Sequence, residues 1–130
     1  MISLIHQYVK TWNTQQVESL PDLFLTSATY KDPLQEGNAV ALLSNSIPQT
    51  AVAFPDVEFG ILTIIENSSV DSLVLEWSMK GTNQGPFFEA PATGKRIEIF
   101  GVDIFEIKDN RISALRSFYD SNQFKTQLGL

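Results

Sequence analysis

The chain has 130 residues, enough for one domain around a single core, and 43% of them are hydrophobic. A net charge of −6 argues against nucleic acid or an anionic membrane as partner, and no stretch approaches the roughly 20 apolar residues of a membrane span. There is no cysteine, which excludes disulfides, thiol nucleophiles and Cys-ligated metals, and the single histidine, His6, cannot build a two-histidine iron site or a His-rich zinc site.

Ile2, Ile5, Tyr8, Val9 and Trp12 recur at three- and four-residue steps and predict an amphipathic first helix, capped by Ser3 and ended by Asn13-Thr14. His6 lies on it with Val9 and Lys10 one turn away, so no second ligand stands beside it and a surface position is expected. The start of the chain lacks the basic region and long apolar run of a signal peptide, which points to a cytoplasmic protein. Val17, Leu20, Leu23 and Phe24 mark a short second helix, with Pro21 in its first turn or at a kink. Residues 28–33 read as a short strand stopped by Pro33. Gly37-Asn38 opens a third helix over 39–53, bent near Pro48 and closed by Phe54-Pro55-Asp56.

The period then changes. Val57, Phe59, Ile61, Thr63 and Ile65 alternate with polar residues or Gly60, and Leu73, Leu75, Trp77 and Met79 alternate with Ser72, Glu76, Ser78 and Lys80. A strand over 96–108 follows, and Asp109-Asn110 turns it into a last strand over 111–119. Residues 67–71 and 83–95 are loops, and Thr93-Gly94-Lys95 is a hairpin turn rather than a phosphate-binding loop. Helices followed by a long antiparallel meander predict an α+β fold, with a hollow between helices and curved sheet. Leu73, Leu75, Trp77, Met79, Phe105 and Leu115 fall on the face turned towards that hollow.

Within the strand 96–108 the inward positions are Ile97, Ile99, Gly101, Asp103, Phe105 and Ile107. Asp103 therefore points into an apolar interior, where loss of water raises a carboxyl pKa unless donors or a cation compensate. A carboxyl of that kind inside a pocket is suited to proton chemistry. Phe100, Val102 and Ile104 are apolar on the opposite face, which suggests a partner surface and a homodimer packed through the outside of the sheet.

The order of elements, with A-T-Y-K-D-P (28–33) after two helices and G-V-D-I-F-E-I-K-D-N-R-I (101–112) near the end, resembles the nuclear transport factor 2-like superfamily. The stretch G-T-N-Q-G-P-F-F-E-A-P-A-T-G-K-R (81–96) and the closing Q-L-G (127–129) look like SnoaL-like polyketide cyclases. In that comparison the cyclases' acid on the last strand falls at Ser117 and their histidine on the preceding strand at Asp103, while Asp120 lies beyond the strand. The ketosteroid isomerases resemble the chain at three chemical positions: Tyr8 in Y-V-K-T-W-N, Asp32 in A-T-Y-K-D-P and Asp103 in V-D-I-F. The resemblance implies that Tyr8 and a protonated Asp103 polarise a carbonyl oxygen while Asp32 moves the proton. Each position also has a plainer reading. Tyr8 can be helix–sheet packing, and Asp32 before Pro33 can cap a turn.

The expected protein is one cystatin-like cone over 1–130, a curved, mostly antiparallel sheet around N-terminal helices with an internal pocket. Its expected function is acid/base catalysis next to a carbonyl of a cyclic ketone or polyketide-like substrate, as an isomerase, cyclase or lyase, without cofactor or metal. Trp12, Leu73, Leu75, Trp77, Met79, Phe87, Phe88, Phe105, Leu115 and Ser117 are the expected substrate contacts, with Phe87 and Phe88 serving as a lid or as a dimer contact. The alternatives are a non-catalytic domain that binds a small apolar ligand and a dimerisation domain.

Overall fold

Apolar residues spaced at helical steps fold the start of the chain into α1 (Ile2–Thr14), which buries Ile5, Tyr8 and Val9 and leaves His6 exposed. The structure, a computed structural model, describes residues 1–130. Because the helix already begins at Ile2, Ser3 lies too deep in the first turn to cap it, and its hydroxyl instead accepts from Gln7 Nε2 at 3.0 Å. A 3₁₀ turn over Val17–Ser19 leads into α2 (Leu20–Leu23), with Pro21 in its first turn. Phe24, placed by its spacing in that helix, opens β1 (Phe24–Lys31) instead. Its register partner Ile112 lies in the last strand, so a contact across most of the chain overrides the local period.

Pro33 ends β1 as expected, and β2 (Glu36–Asn38) folds straight back on it, pairing Lys31 with Glu36 and Thr29 with Asn38. This short strand stands where the sequence suggested the start of the third helix. Asn38 then caps α3 (Ala39–Ala53), its Oδ1 accepting from the Ala41 amide at 3.1 Å, and Pro48 lies within the helix.

Four antiparallel strands follow: β3 (Glu58–Asn67), β4 (Ser72–Thr82), β5 (Arg96–Lys108) and β6 (Arg111–Phe118). Asp109 and Asn110, both at positive φ, make the tight turn between the last two. The sheet runs β2-β1-β6-β5-β4-β3 and is mixed, because β1 lies parallel to β6. Along β5 the expected alternation holds: Ile97, Ile99, Asp103 and Phe105 are buried, whereas Glu98, Phe100 and Glu106 face outward. The core fills the concave side, where α1, α2 and α3 meet the sheet. The architecture is the α+β cone of the nuclear transport factor 2-like folds. No helix is long and apolar enough to cross a membrane.

A last helix, α4 (Asn122–Leu128), was not evident from the sequence. It begins where β6 stops, and it takes over the strand's hydrogen bonds. Gln123 and Gln127, one turn apart, present their amides to the backbone of Phe100 and Glu98, with Gln127 Oε1 accepting from Glu98 N at 2.7 Å and its Nε2 donating to Glu98 O at 2.9 Å. Two side chains thereby satisfy the edge of β5 that β6 leaves uncovered.

Candidate active site

The concave face of the sheet and the helices enclose a cavity of about 840 Å³, within the roughly 300–1,000 Å³ usual for small-molecule sites. Nine aromatic residues line it. Six of their rings form a continuous wall, in which Trp12, Phe59, Trp77, Tyr119, Phe124 and Phe87 follow one another at centroid steps of 4.8, 6.1, 6.0, 6.0 and 5.1 Å. Such edge-to-face and tilted packing stiffens a wall without filling the space beside it.

Asp103 stands in the floor. Antiparallel pairing places it opposite Leu75 on β4 and Ser117 on β6, and Trp77 Nε1 donates to its Oδ1 at 2.9 Å. That bond depends on Gly101, which pairs with Trp77. A Cβ on Gly101 would lie 2.6 Å from Trp77 Cε2, so only a glycine lets the indole lie across β5 towards Asp103. Burial pushes the Asp103 carboxyl up to about 6, the negative charge of Asp32 adds to this, and the Ser117 hydroxyl and Trp77 indole pull it back down. The carboxyl thus holds its proton to a higher pH than an ordinary aspartate, the direction that its buried place on β5 implies.

Tyr8 reaches the cavity from α1, its ring held edge-on by Phe105 at 5.3 Å and Phe24 at 5.9 Å. Its hydroxyl lies on the cavity, with the Trp12 indole as its hydrogen-bonding neighbour. Burial, then the charges of Asp103 and Asp32, hold its pKa well above the ordinary tyrosine range, while the Trp12 indole acts the other way. Tyr8 is a hydrogen-bond donor throughout the physiological range.

Asp32 also lines the cavity, but every acceptor position it has is taken. Oδ1 accepts from the amides of Leu34 (2.7 Å) and Gln35 (2.9 Å), and Oδ2 from Tyr30 Oη (2.7 Å) and Gln35 Nε2 (3.4 Å). The two amides make the turn that Pro33 announces, and Gln35 Nε2 is held in turn by Ser46 Oγ on α3 at 2.9 Å.

The structure gathers Tyr8, Asp32 and Asp103 around one space, together with Trp12, Leu75, Trp77, Met79, Phe87, Phe88 and Ser117. Leu73, Phe105 and Leu115, expected as ligand contacts, do not reach it. They do face inward, but they cluster at one end of the sheet, where Phe105 pairs with both Leu73 and Leu115 and Tyr8 covers the ring. Two tyrosines were missed, Tyr30 and Tyr119, so that all three tyrosines of the chain line the cavity. Tyr30 follows the alternation of β1 two residues before Asp32, and that signal could have found it. Tyr119, one residue past the end of β6 and within the strand expected over 111–119, continues the inward alternation of Leu115 and Ser117, and that signal could have found it too. Its pKa is also raised, by burial and then by Asp32 and Asp103. Asp120 is exposed and accepts from the Asn122 amide at the start of α4.

The loop over 83–95 forms one rim. Buried Asn83 anchors it: Nδ2 donates to the carbonyls of Ala53 (3.2 Å) and Gly85 (2.8 Å), and Oδ1 accepts from the Thr93 amide (2.8 Å) and hydroxyl (3.0 Å). At the tip, Phe88 and Glu89 adopt positive φ to close a turn between Phe87 and Ala90. Phe87 packs on Phe54 and Phe124, and Phe88 remains 70% exposed at the mouth.

A cone whose concave side holds an aromatic cavity with acids in its wall defines a class of small-molecule folds. The family of SnoaL-like polyketide cyclases matches residues 2–128, and the chain belongs to it. Among solved structures it is similar to TsrD from Streptomyces laurentii, with a TM-score of 0.86 at 20% identity over 98% of this chain and 92% of that one. IdmH from Streptomyces antibioticus superposes with a TM-score of 0.84 at 20% identity, covering 98% and 97% of the two chains. A SnoaL-like polyketide cyclase from Agrobacterium tumefaciens gives 0.76 at 15% identity, covering 97% and 95%. At these identities the likeness concerns the fold. No curated protein matches the sequence.

Proposed function

We propose that the cavity catalyses proton transfer next to a carbonyl of a cyclic ketone or polyketide-like substrate, with Asp103 taking and returning the proton and Tyr8 stabilising the enolate. One observation carries this reading. Asp103 is the buried acid of the cavity with the fewer donors, the Trp77 indole and the Ser117 hydroxyl, whereas Asp32 already accepts four hydrogen bonds. In the step, the C–H bond breaks and its proton goes to Asp103, while the electron pair forms a C=C bond and leaves the charge on the carbonyl oxygen. The Tyr8 hydroxyl donates to that oxygen, and Asp103 returns the proton to another carbon. A base with a pKa near 6 accepts a proton readily at neutral pH and still gives it back. The resemblance to the isomerases assigns the two aspartates the other way round. The bonds of Asp32 support a positioning role instead, fixing Tyr30 and the β1–β2 turn.

The test is the conversion of a β,γ-unsaturated cyclic ketone to its conjugated isomer, followed by ultraviolet absorbance. Asp103→Asn is expected to lower kcat/KM roughly a hundredfold to ten-thousandfold, and Tyr8→Phe roughly a hundredfold or more. In the wild type kcat/KM rises with pH to a plateau above about 6. A profile that falls through the same range would assign Asp103 the neutral donor role. Unchanged rates in both variants would remove catalysis and leave a binding domain.

The outer face supports a homodimer as the working assembly. Ile65, Val74, Ile104, Val102 and Phe118 adjoin one another across four strands, with Phe100 beside them. Glu76 and Arg116 flank β5 on opposite sides, a charge pattern that a two-fold axis makes self-complementary. Phe118→Glu is expected to halve the mass found by sedimentation, and an unchanged mass removes this interface.

A further inference from the structure

The charges that line the cavity are all of one sign. Asp32, Asp103 and Glu89 reach it, from β1, β5 and the rim loop, and none of the protein's nine Lys and Arg residues or its histidine does. The other titratable groups facing Asp103 are the hydroxyls of Tyr8, Tyr30 and Tyr119, which stay neutral. A carboxylate removed from water normally finds a cation or a set of strong donors. Asp103 is 4% exposed, and the donors that the protein gives it, the Trp77 indole and the Ser117 hydroxyl, are both uncharged. The missing countercharge has a place prepared for it. Trp12, Trp77 and Tyr119 stand in the wall beside the acid, and aromatic faces attract positive nitrogen more strongly than neutral carbon of the same shape.

We propose that the cavity selects a ring compound bearing a positive nitrogen, a protonated amine or an iminium-type centre, seated against Asp103 and enclosed by Trp12, Trp77 and Tyr119. This rests on the reading of the cavity as a proton-transfer site and names the class of substrate for it. The two fit chemically, because a positive charge close to a carbonyl favours the enolate formed when the neighbouring carbon loses its proton. An anionic substrate, by contrast, meets three acids and no cation.

Three probes of one shape test the charge alone: N-methylquinolinium, methylnaphthalene and naphthoate, measured by sealed equilibrium dialysis against the whole protein. At pH 8 the cation is expected to bind about tenfold or more tightly than the neutral probe, and the anion more weakly than either. At pH 5, with Asp103 protonated, the advantage of the cation shrinks. Asp103→Asn is expected to abolish that advantage at pH 8 while the neutral probe binds as before, which also shows that the cavity is intact. Equal or tighter binding of the neutral probe overturns the inference, as does a cation preference that survives in Asp103→Asn. In either case proton transfer stands if Asp103→Asn still lowers isomerisation. If none of the three binds, the cavity is not a ligand site and both readings fall.

Discussion

Replacing Asp103 by Asn removes a charge that folding has to bury, and the carboxyl's surroundings set the effect on stability. In the folded protein its pKa is about 6 against an ordinary 3.8, chiefly through burial and secondarily through Asp32. The raised value means that the folded state holds the proton more tightly than the unfolded chain. Below about pH 4 both states are protonated and the group is neutral to stability. Between about 4 and 6 the unfolded chain releases the proton first, so stability falls as pH rises, and above about 6 the full penalty applies. At about 1.4 kcal/mol per unit, the penalty is about 3 kcal/mol.

Asn has nearly the same shape, its oxygen can still accept from Trp77 Nε1, and its amide can donate to Ser117. The Asn variant should therefore be the more stable protein, by about 2–3 kcal/mol at pH 8, with the two proteins converging near pH 4. Urea unfolding followed by the fluorescence of Trp12 and Trp77 at several pH values measures this difference. The pH dependence of the difference reports Asp103 together with its electrostatic coupling to Asp32. A variant no more stable than wild type at pH 8, or a gap that does not close in acid, would refute the burial argument.

Gly101→Ala places a Cβ 2.6 and 2.8 Å from Trp77 Cε2 and Cη2, between neighbours Phe59 and Tyr119 that limit the ring's escape. The expected loss is about 1–3 kcal/mol in urea unfolding, and the kinetic pKa of Asp103 rises as its indole donor withdraws. Asn83→Ala leaves the carbonyls of Ala53 and Gly85 and the Thr93 hydroxyl to find new partners, at a cost of about 1–3 kcal/mol. It should also speed proteolysis within residues 83–95 before global unfolding, as limited digestion would show.

Much of the cone was legible because its strands are amphipathic. In β5 one face is buried and the other is not, so a period of two fixes register, and Asp103 was found as the exception to it. What the sequence hid was set by partners remote along the chain. Phe24 is a helical residue by its spacing and a strand residue by its neighbour Ile112. Helix α4 is short and carries one apolar pair, Phe124 and Leu128, while two glutamine amides replace a missing strand. The reach of the cavity was likewise hidden. Alternation places Phe105 and Trp77 on one face, yet only the structure shows that Phe105 lies under Tyr8 while Trp77 stands in the open wall.

The two aspartates show why finding site residues does not settle their roles. Asp32 is defined by the three residues after it in the chain: Pro33 bends the backbone, and the amides of Leu34 and Gln35 close on Oδ1. Nothing in that local pattern reveals that Tyr30 and the Ser46-held Gln35 side chain fill the other oxygen. Asp103 is the reverse case. Its neighbours in sequence are apolar, and its donors come from the flanking strands: the Ser117 hydroxyl on β6 and the Trp77 indole on β4, the latter admitted by the absence of a side chain at Gly101. A carboxylate with four donors has no acceptor position left to offer a ligand. A carboxylate with fewer donors, held in low dielectric, keeps its proton to a higher pH, as at Asp103. The difference in chemistry between two identical side chains therefore comes from the count of hydrogen bonds that the fold delivers to each.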